Sequence, residues 1–393
     1  MKRHVVIFGN KWNVVHHVRA MGYEPVVVHG RCPEGCRQWI CVEEEGAEQA
    51  DTGLLKALDF SQIVGLVNCS EYYVSFAAAV REAYAPQLPG LRREQAALVR
   101  DKVLLKQHLQ RVGIATTRFT RLDRQASWGA IADRCAAPFL VKPRKGMLAR
   151  HITLIDNEAT FARWRGETPH VEDYYAEAYL PRMREYCCDT LVSDGRVFAQ
   201  FPGEYTVSCL ESNQKHAGYG VNFPGFLPES ERAVMKEMAR QFIASAGIRD
   251  GFCHCEFFHT TEGWTFGEIG CRLPGGYQIP TESHMAGESI MDLYLRMLIA
   301  TEDAPRVPLE LADRYCGYYL YPKKTGRVTR VTTDFDHPWI IESKVFVAAG
   351  DEIAHEDSSV AMSGVVVYAA RSPEELREHA VMAPNLMTVE MDA

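Results

Sequence analysis

Three short apolar runs separated by helical stretches constrain residues 1–90 more than any other feature of the chain constrains its remainder. Val5-Val6-Ile7-Phe8 ends at Gly9, Val26-Val27-Val28 follows, and Ile63 to Val67 is the third run. Between the first two, residues from about Trp12 to Met21 read as a helix stopped by Gly22. After the third, Glu71 to Tyr84 read as another. Runs this short and this continuously apolar are strands buried on both faces. Alternating with helices, they make a small parallel sheet with helices against it. The turn-rich Pro86-Gln87-Leu88-Pro89-Gly90 closes this unit, and a chain of 393 residues has length for one or two further domains.

Arg92 to Val112 predicts one long helix ended by Gly113. Phe139-Leu140-Val141 is a strand running into Lys142-Pro143, answered by Ile152 to Ile155. Tyr174 to Leu180, Tyr186 to Val192 and Phe198 to Phe201 are further strands, with a turn at Asp194-Gly195. Gly203 to Gly225 is polar, Gly-rich and without periodicity, which predicts an active-site loop or a plain surface loop. Glu229 to Ala246 reads as a helix stopped by Gly247, and Ile290 to Ala300 as another. After Pro305 and Pro308 the chain is β-rich.

The net charge of −8, with Lys and Arg unclustered, excludes nucleic-acid binding and polybasic membrane contact, both of which need concentrated positive charge. No apolar run approaches the ~20 residues that cross a bilayer. The first run is too short for the core of a signal peptide. The expectation is a cytoplasmic protein whose 12 cysteines are reduced thiols, mostly buried as small hydrophobes. The densest group, His29, Cys32, Cys36 and Cys41, matches none of the usual paired-Cys zinc spacings, so core or loop thiols are expected there.

Chemistry concentrates in two strands, near Phe252–Phe258 and Trp264–Ile269, joined by a turn containing Glu262-Gly263. Side chains alternate faces along a strand. His254, Glu256 and Phe258 therefore share one face of the first, and Glu268, Gly270 and Arg272 one face of the second. Paired as a hairpin, the strands bring two carboxylates and one guanidinium together. Adjacent carboxylates repel unless a cation compensates, and Mg²⁺, which takes oxygen ligands from carboxylates and phosphates, is the natural one. A guanidinium beside them suits a phosphoryl or carboxylate group. Spacing alone serves an exposed hairpin with its charges in water equally well.

Other residues shift that balance. Asp101-Lys102, Lys142-Pro143, Glu177-Ala178-Tyr179-Leu180, Glu185, His254-Cys255-Glu256 and Gly267-Glu268-Ile269-Gly270-Cys271-Arg272, with Pro274-Gly275-Gly276 behind, follow one another in that order. As an ordered set spanning most of the chain they resemble the ATP-grasp superfamily. Glu-x-x-x-Arg after His-x-Glu is most similar to its L-amino-acid ligase branch.

The resemblance implies an α/β chain with an α+β grasp. It has a Rossmann-like domain at 1–90, a grasp core at 91–305 with a small lid lobe at about 115–180, and a β-rich C-terminal subdomain at 306–393. It implies an ATP-dependent carboxylate–amine ligase working through an acyl phosphate, with Mg²⁺, or Mn²⁺ in its place, as metal. Lys102 and Lys142 then neutralise ATP phosphates. Glu177, Ala178, Tyr179 and Leu180 line the adenine, largely through backbone groups, and Glu185 accepts ribose hydroxyls. Glu256 and Glu268 hold the metal, and Arg272 steadies the acyl phosphate and tetrahedral intermediate. By position, the segment from Gly203 to Gly225 is similar to the family's carboxylate-substrate region. Glu211 and His216 there are candidates for orienting substrate or taking the amine's proton.

By family analogy the substrates are a small carboxylate, foremost an amino acid, and an amine, and the chain is a homodimer. Rival readings are a carrier-protein aminoacylating enzyme, a carboxylating enzyme, and a non-catalytic ATP-binding regulator. Two departures stand out. Gly270 occupies a slot where the family often has Asn. The loop Pro143 to His151 keeps Gly146 but lacks the usual Ser and is basic instead, with Arg144, Lys145 and Arg150.

Overall fold

The computed structural model describes residues 3–392 other than 12, 182, 300–307, 310, 312, 313 and 355–361. Trp12, Ala300 and Pro305, which mark the ends of expected segments, lie outside the described residues. The chain opens with β1 (His4–Phe8), α1 (Val14–Ala20), β2 (Glu24–Val28), β3 (Gln38–Ile40), β4 (Ile63–Asn68) and α2 (Val74–Tyr84). Its four strands form a parallel sheet in the order β3-β2-β1-β4. Val5 and Ile7 pack into one core and Val6 and Phe8 into another, which is why the run is apolar at every position. The helix expected from Glu71 begins as a single 3₁₀ turn, Glu71–Tyr73. That turn leaves Glu71 just past the carboxyl end of β4, where ligand crevices open in parallel sheets.

The long helix expected over Arg92 to Val112 is two helices, α3 (Arg93–Arg100) and α4 (Lys102–Arg111). Asp101 between them is extended, at φ −96 and ψ 106, and its carboxylate accepts the N–H groups of Val103 and Leu104, capping α4. Lys102 therefore sits at a helix start rather than within a helix. A small lobe follows: β5 (Phe119–Arg121), α5 (Trp128–Cys135), β6 (Phe139–Pro143), β7 (Thr153–Ile155), α6 (Glu158–Glu167) and β8 (Tyr174–Ala178). Its antiparallel sheet has the order β5-β8-β6-β7. Phe139, Val141 and Ala176 face a core with Ile131, Phe161 and Trp164 of the two helices. By alternation Leu140, Lys142 and Glu177 face the other way, toward the rest of the molecule.

The main lobe contains β9 (Arg184–Ser193), β10 (Arg196–Tyr205), α7 (Cys209–Lys215), β11 (Tyr219–Phe223), α8 (Glu229–Ser245), β12 (Gly251–Thr260), β13 (Gly263–Gly270), α9 (Gln278–Ala286) and α10 (Ile290–Leu298). It continues through β14 (Tyr315–Pro322), β15 (Gly326–Thr333), β16 (Ile340–Val345), β17 (Glu352–Ile353), β18 (Met362–Ala370), α11 (Pro373–Met382) and β19 (Met387–Met391). One eight-stranded antiparallel sheet runs β13-β12-β9-β10-β11-β14-β18-β16, so strands past residue 308 extend the same sheet as the hairpin. The segments β17-β15-β19 make a separate small sheet.

Gly203 to Gly225 is not a loop: it is the end of β10, α7 and β11. Its glycines are packing positions. A Cβ on Gly203 would stand 2.7 Å from the Phe223 and Val221 side chains, and one on Gly220 would strike the Tyr318 carbonyl. Met235, Phe242 and their neighbours on α8 pack with α3 and α4 against one sheet face. Among the described residues no helix is long and apolar enough to cross a membrane. All 12 cysteines are free, and Cys36 and Cys41 bond through sulfur to the Gln38 and Gly30 carbonyls.

Candidate active site

Strand register builds the site. Glu256 stands directly opposite Glu268 across β12 and β13, and His254 opposite Gly270. On the other side of β12, Asp189 opposes His254 and Glu185 opposes Phe258. These side chains share one face of the sheet, while Cys253, Cys255 and Phe257 point into the core beneath α8. The cavity above that face, about 1340 Å³ counting its open mouth, is closed from across by the small lobe through Leu140, Lys142, Ala178, Tyr179 and Leu180.

Both expected lysines converge on Glu268. Lys102 Nζ lies 3.3 Å from one of its oxygens and Lys142 Nζ 4.0 Å from the other. Lys102 also donates to the Gly146 carbonyl at 2.8 Å, which ties it to the loop after β6. That loop is anchored rather than solvated: Arg144 pairs with Asp101, and Lys145 with Glu48 at 3.1 Å. Leu148, Ala149 and His151 hold left-handed backbone at φ 59, 54 and 56, uncommon for residues with a Cβ and a form that backbone near a functional site often takes.

Glu177 departs from the expected backbone role. Its side chain does more than ride on a strand that lines the cavity through backbone groups. It is buried between Lys106 Nζ at 2.7 Å and Lys142 Nζ at 3.1 Å, and it accepts from Tyr175 Oη at 2.8 Å and from Thr117. Burial alone would raise its pKa, but Lys106 and Lys142 outweigh it and hold the carboxyl far below the usual range. Burial opposes charge on Lys142 too, yet Glu177 and Glu268 push its pKa up to about 12.

His254 bridges two acids, with Nδ1 2.5 Å from Asp189 and Nε2 3.2 Å from Glu256. Burial disfavours its charge, but Asp189 and then Glu256 overcome that and push its pKa up to about 10. Flanked by two carboxylates, the ring is best satisfied as an imidazolium, whose two nitrogens both donate. Burial, and then the neighbouring Asp189, raise the fully buried Glu282 carboxyl well above the usual carboxylate range. Burial, then Glu256, pushes Glu185 up to about 8, and its carboxylate accepts the Cys209 N–H at 2.9 Å.

Arg272 points back to the first domain. Its Nε pairs with Glu71 at 3.0 Å and its Nη1 donates to the Leu273 carbonyl, while Glu71 also holds Arg100 at 2.8 Å. The Gly270 departure follows from this pair, since a Cβ there would sit 2.9 Å from the Glu71 oxygen and 3.4 Å from the Arg272 guanidinium carbon.

Glu211 and His216 are not brought to the cavity. Glu211 is on the outer face of α7, paired with Lys215 one turn on at 2.7 Å, and His216 is exposed in the left-handed position that ends the helix. α7 turns Cys209 and Leu210 inward instead.

The donor set fits a hard cation. Glu256 and Glu268 offer opposed carboxylate oxygens, and two lysines beside them suit phosphate oxygens. Among the described residues Glu185, Cys209 and Glu256 also bring ligand atoms within 4.8 Å of one another, but burial pushes the Cys209 thiol well above its ordinary pKa, leaving two oxygens.

Lys106, Glu71, Asp189 and Glu282 were not singled out in the sequence. Lys106 carried a usable signal: it follows Lys102 by one helical turn, on the same face.

Comparison with known proteins gives a consistent answer. Residues 318–392 match the family described as L-amino acid ligase C-terminal domain 2. An L-arginine-specific L-amino acid ligase of Bacillus subtilis is 23% identical over 332 residues, covering 78% of this chain and 75% of that protein. An L-amino acid ligase structure from Bacillus licheniformis superposes with a TM-score of 0.80 at 17% identity, over 100% of this chain and 99% of that one. Phosphoribosylglycinamide synthetase from Anaerococcus prevotii gives 0.73 at 14% identity over 100% of both chains. N5-carboxyaminoimidazole synthetase from Staphylococcus aureus, complexed with ADP, gives 0.71 at 17% over 98% of both.

Proposed function

We propose, from a fold shared with ATP-grasp enzymes and a sequence similar to the L-amino acid ligases, that this chain is an ATP-dependent carboxylate–amine ligase that makes an amide through an acyl phosphate. The observation that carries this is the convergence of Lys102 and Lys142 on Glu268, itself opposite Glu256 on one hairpin with Arg272 close behind. The substrates are small molecules, an amino acid as acid and an amine, and the setting is the cytoplasm.

A donor carboxylate oxygen attacks the γ-phosphorus of ATP, and the bond from that phosphorus to the β–γ bridging oxygen breaks, releasing ADP. The amine nitrogen then attacks the acyl carbon. The C–O bond to phosphate breaks with its electron pair, and the nitrogen gives up a proton. Little covalent help is needed from the protein; charge neutralisation and alignment suffice. Glu256 and Glu268 would hold Mg²⁺, which when bound supplies Lewis-acid neutralisation of the phosphates. Lys102 and Lys142, released from Glu268, meet phosphate oxygens. Glu177, clamped between Lys106 and Lys142, positions the second of these lysines. Arg272, fixed through Nε and Nη1, keeps a guanidinium edge at the acyl centre. The small lobe excludes water that would hydrolyse the intermediate.

Substrate-dependent ADP release tests the reading. ADP is expected from Mg-ATP only with an acid present, with amide appearing when an amine is added. ATP bound without any acid-dependent ADP would point instead to nucleotide as a regulatory ligand.

His254 and Asp189 orient Glu256. Asp189→Asn removes the anion that holds the imidazolium, so the Mg²⁺ concentration giving half-maximal ADP release should rise about tenfold or more, the usual effect of losing a residue behind a metal ligand. Unchanged Mg²⁺ dependence in a folded Asp189→Asn protein would remove Asp189 from this role.

A further inference from the structure

The register that aligns Glu256 with Glu268 continues along the same sheet face. Cys187, opposite Glu256, is also opposite Gly203 on β10. Tyr205, two residues on, is opposite Val221, and Val221 is opposite Tyr318 on β14. Tyr219, two residues before Val221, points the same way. Tyr205, Tyr219 and Tyr318 thus form an aromatic wall of the cavity, continuous with its acidic end. The Tyr205 and Tyr219 rings are 6.2 Å apart between centroids. Tyr205 Oη is 3.4 Å from His254 Nε2, which is 3.2 Å from the Glu256 carboxylate.

A donor acid must place its carboxylate at that acidic end to reach the γ-phosphorus, so its side chain extends along the tyrosines. Each charged group beside the wall already has a polar partner. His254 lies between Asp189 and Glu256, Arg272 is held by Glu71, and Glu185 accepts the Cys209 N–H. Beyond them the wall's neighbours are Gly276, Gln278 and Cys209, all neutral. An anionic side chain entering here would lose water without gaining a counter-ion, and a cationic one would meet only Glu185, which already accepts the Cys209 N–H. An aromatic or long aliphatic one would gain ring contacts and buried area.

Building on the ligase reading, we infer that the carboxylate donor is an acid with a neutral aromatic or long aliphatic side chain, seated against Tyr205, Tyr219 and Tyr318.

The test uses the full chain with Mg-ATP and hydroxylamine as a generic amine, reading ADP and hydroxamate for single acids. Phenylalanine, leucine and methionine are compared with alanine, aspartate, glutamate, lysine and arginine. The expected result is a kcat/KM for the best neutral large acid at least about tenfold above every charged acid, the scale on which pockets discriminate side chains. Tyr219→Ala should raise KM for that acid about tenfold more than for alanine, while Tyr219→Phe keeps it near the wild-type value. Turnover led by a charged acid, or a Tyr219→Ala effect equal for alanine and the large acid, would overturn the inference and leave the ligase standing. No ADP with any acid would overturn the ligase reading, and this inference with it.

Discussion

Glutamine in place of Glu268 is expected to cut substrate-dependent ADP release by about a thousandfold while the protein stays folded. Losing one aligned electrostatic contact to a transferring group already costs roughly 10²–10³ in rate, and Glu268 is a proposed metal ligand as well. The substitution keeps the shape of the side chain and removes its charge. The hairpin loses one of its two opposed anions, and Lys102 and Lys142 lose the group on which they converge. Glu268 is 29% exposed, so the fold does not depend on its charge and the thermal midpoint should move little. Activity within tenfold of wild type would contradict the assignment of this carboxylate.

Glu177→Gln should damage stability instead. Lys106 is fully buried, and its partners are Glu177 and the hydroxyls of Thr116 and Thr117. Removing one member of a buried ion pair typically costs about 3–5 kcal/mol, because the remaining charge is stranded. A fall of roughly 10 °C in the thermal midpoint is expected. The pH dependence has a definite sign. Glu177 in the folded protein titrates far below its unfolded value of about 4.3, so its stabilisation is complete above that value and fades as pH falls below it. Lys142 is raised to about 12, so its share is complete below its unfolded value of about 10.4 and is lost as pH rises through 12. The deficit of Glu177→Gln relative to wild type should therefore be largest near neutrality and shrink toward acid. Thermal melts of both proteins from pH 3 to pH 8 would check this, and a deficit that grew on acidification would contradict it.

The parts of the site readable in the sequence are those set by local periodicity. Two strands with alternating faces were enough to bring Glu256, Glu268 and Arg272 together, and the apolar runs at Val5, Val26 and Ile63 were enough for the parallel sheet. The rest depended on partners far along the chain. Glu71 meets Arg272 across 201 residues of sequence, and Asp189 meets His254 across 65, with nothing local to mark either. The break at Asp101 was hidden because the apolar spacing of α3 runs on into α4; an Asp placed to cap the next helix was the available sign. Glycine misled at 203 and 220, where it serves close strand packing rather than a flexible loop, and Glu211 and His216, expected with that loop, stand outside the cavity lining.

The most direct test of the central claim follows an oxygen atom. If the donor's carboxylate attacks the γ-phosphorus, an acid labelled with ¹⁸O in its carboxyl group passes one labelled oxygen to the inorganic phosphate formed with each ADP and amide. Mass analysis of that phosphate should show one ¹⁸O per turnover. Unlabelled phosphate alongside amide would mean that the acid is activated by some route other than an acyl phosphate, and the assignment of Glu256, Glu268, Lys102 and Lys142 to that transfer would fall.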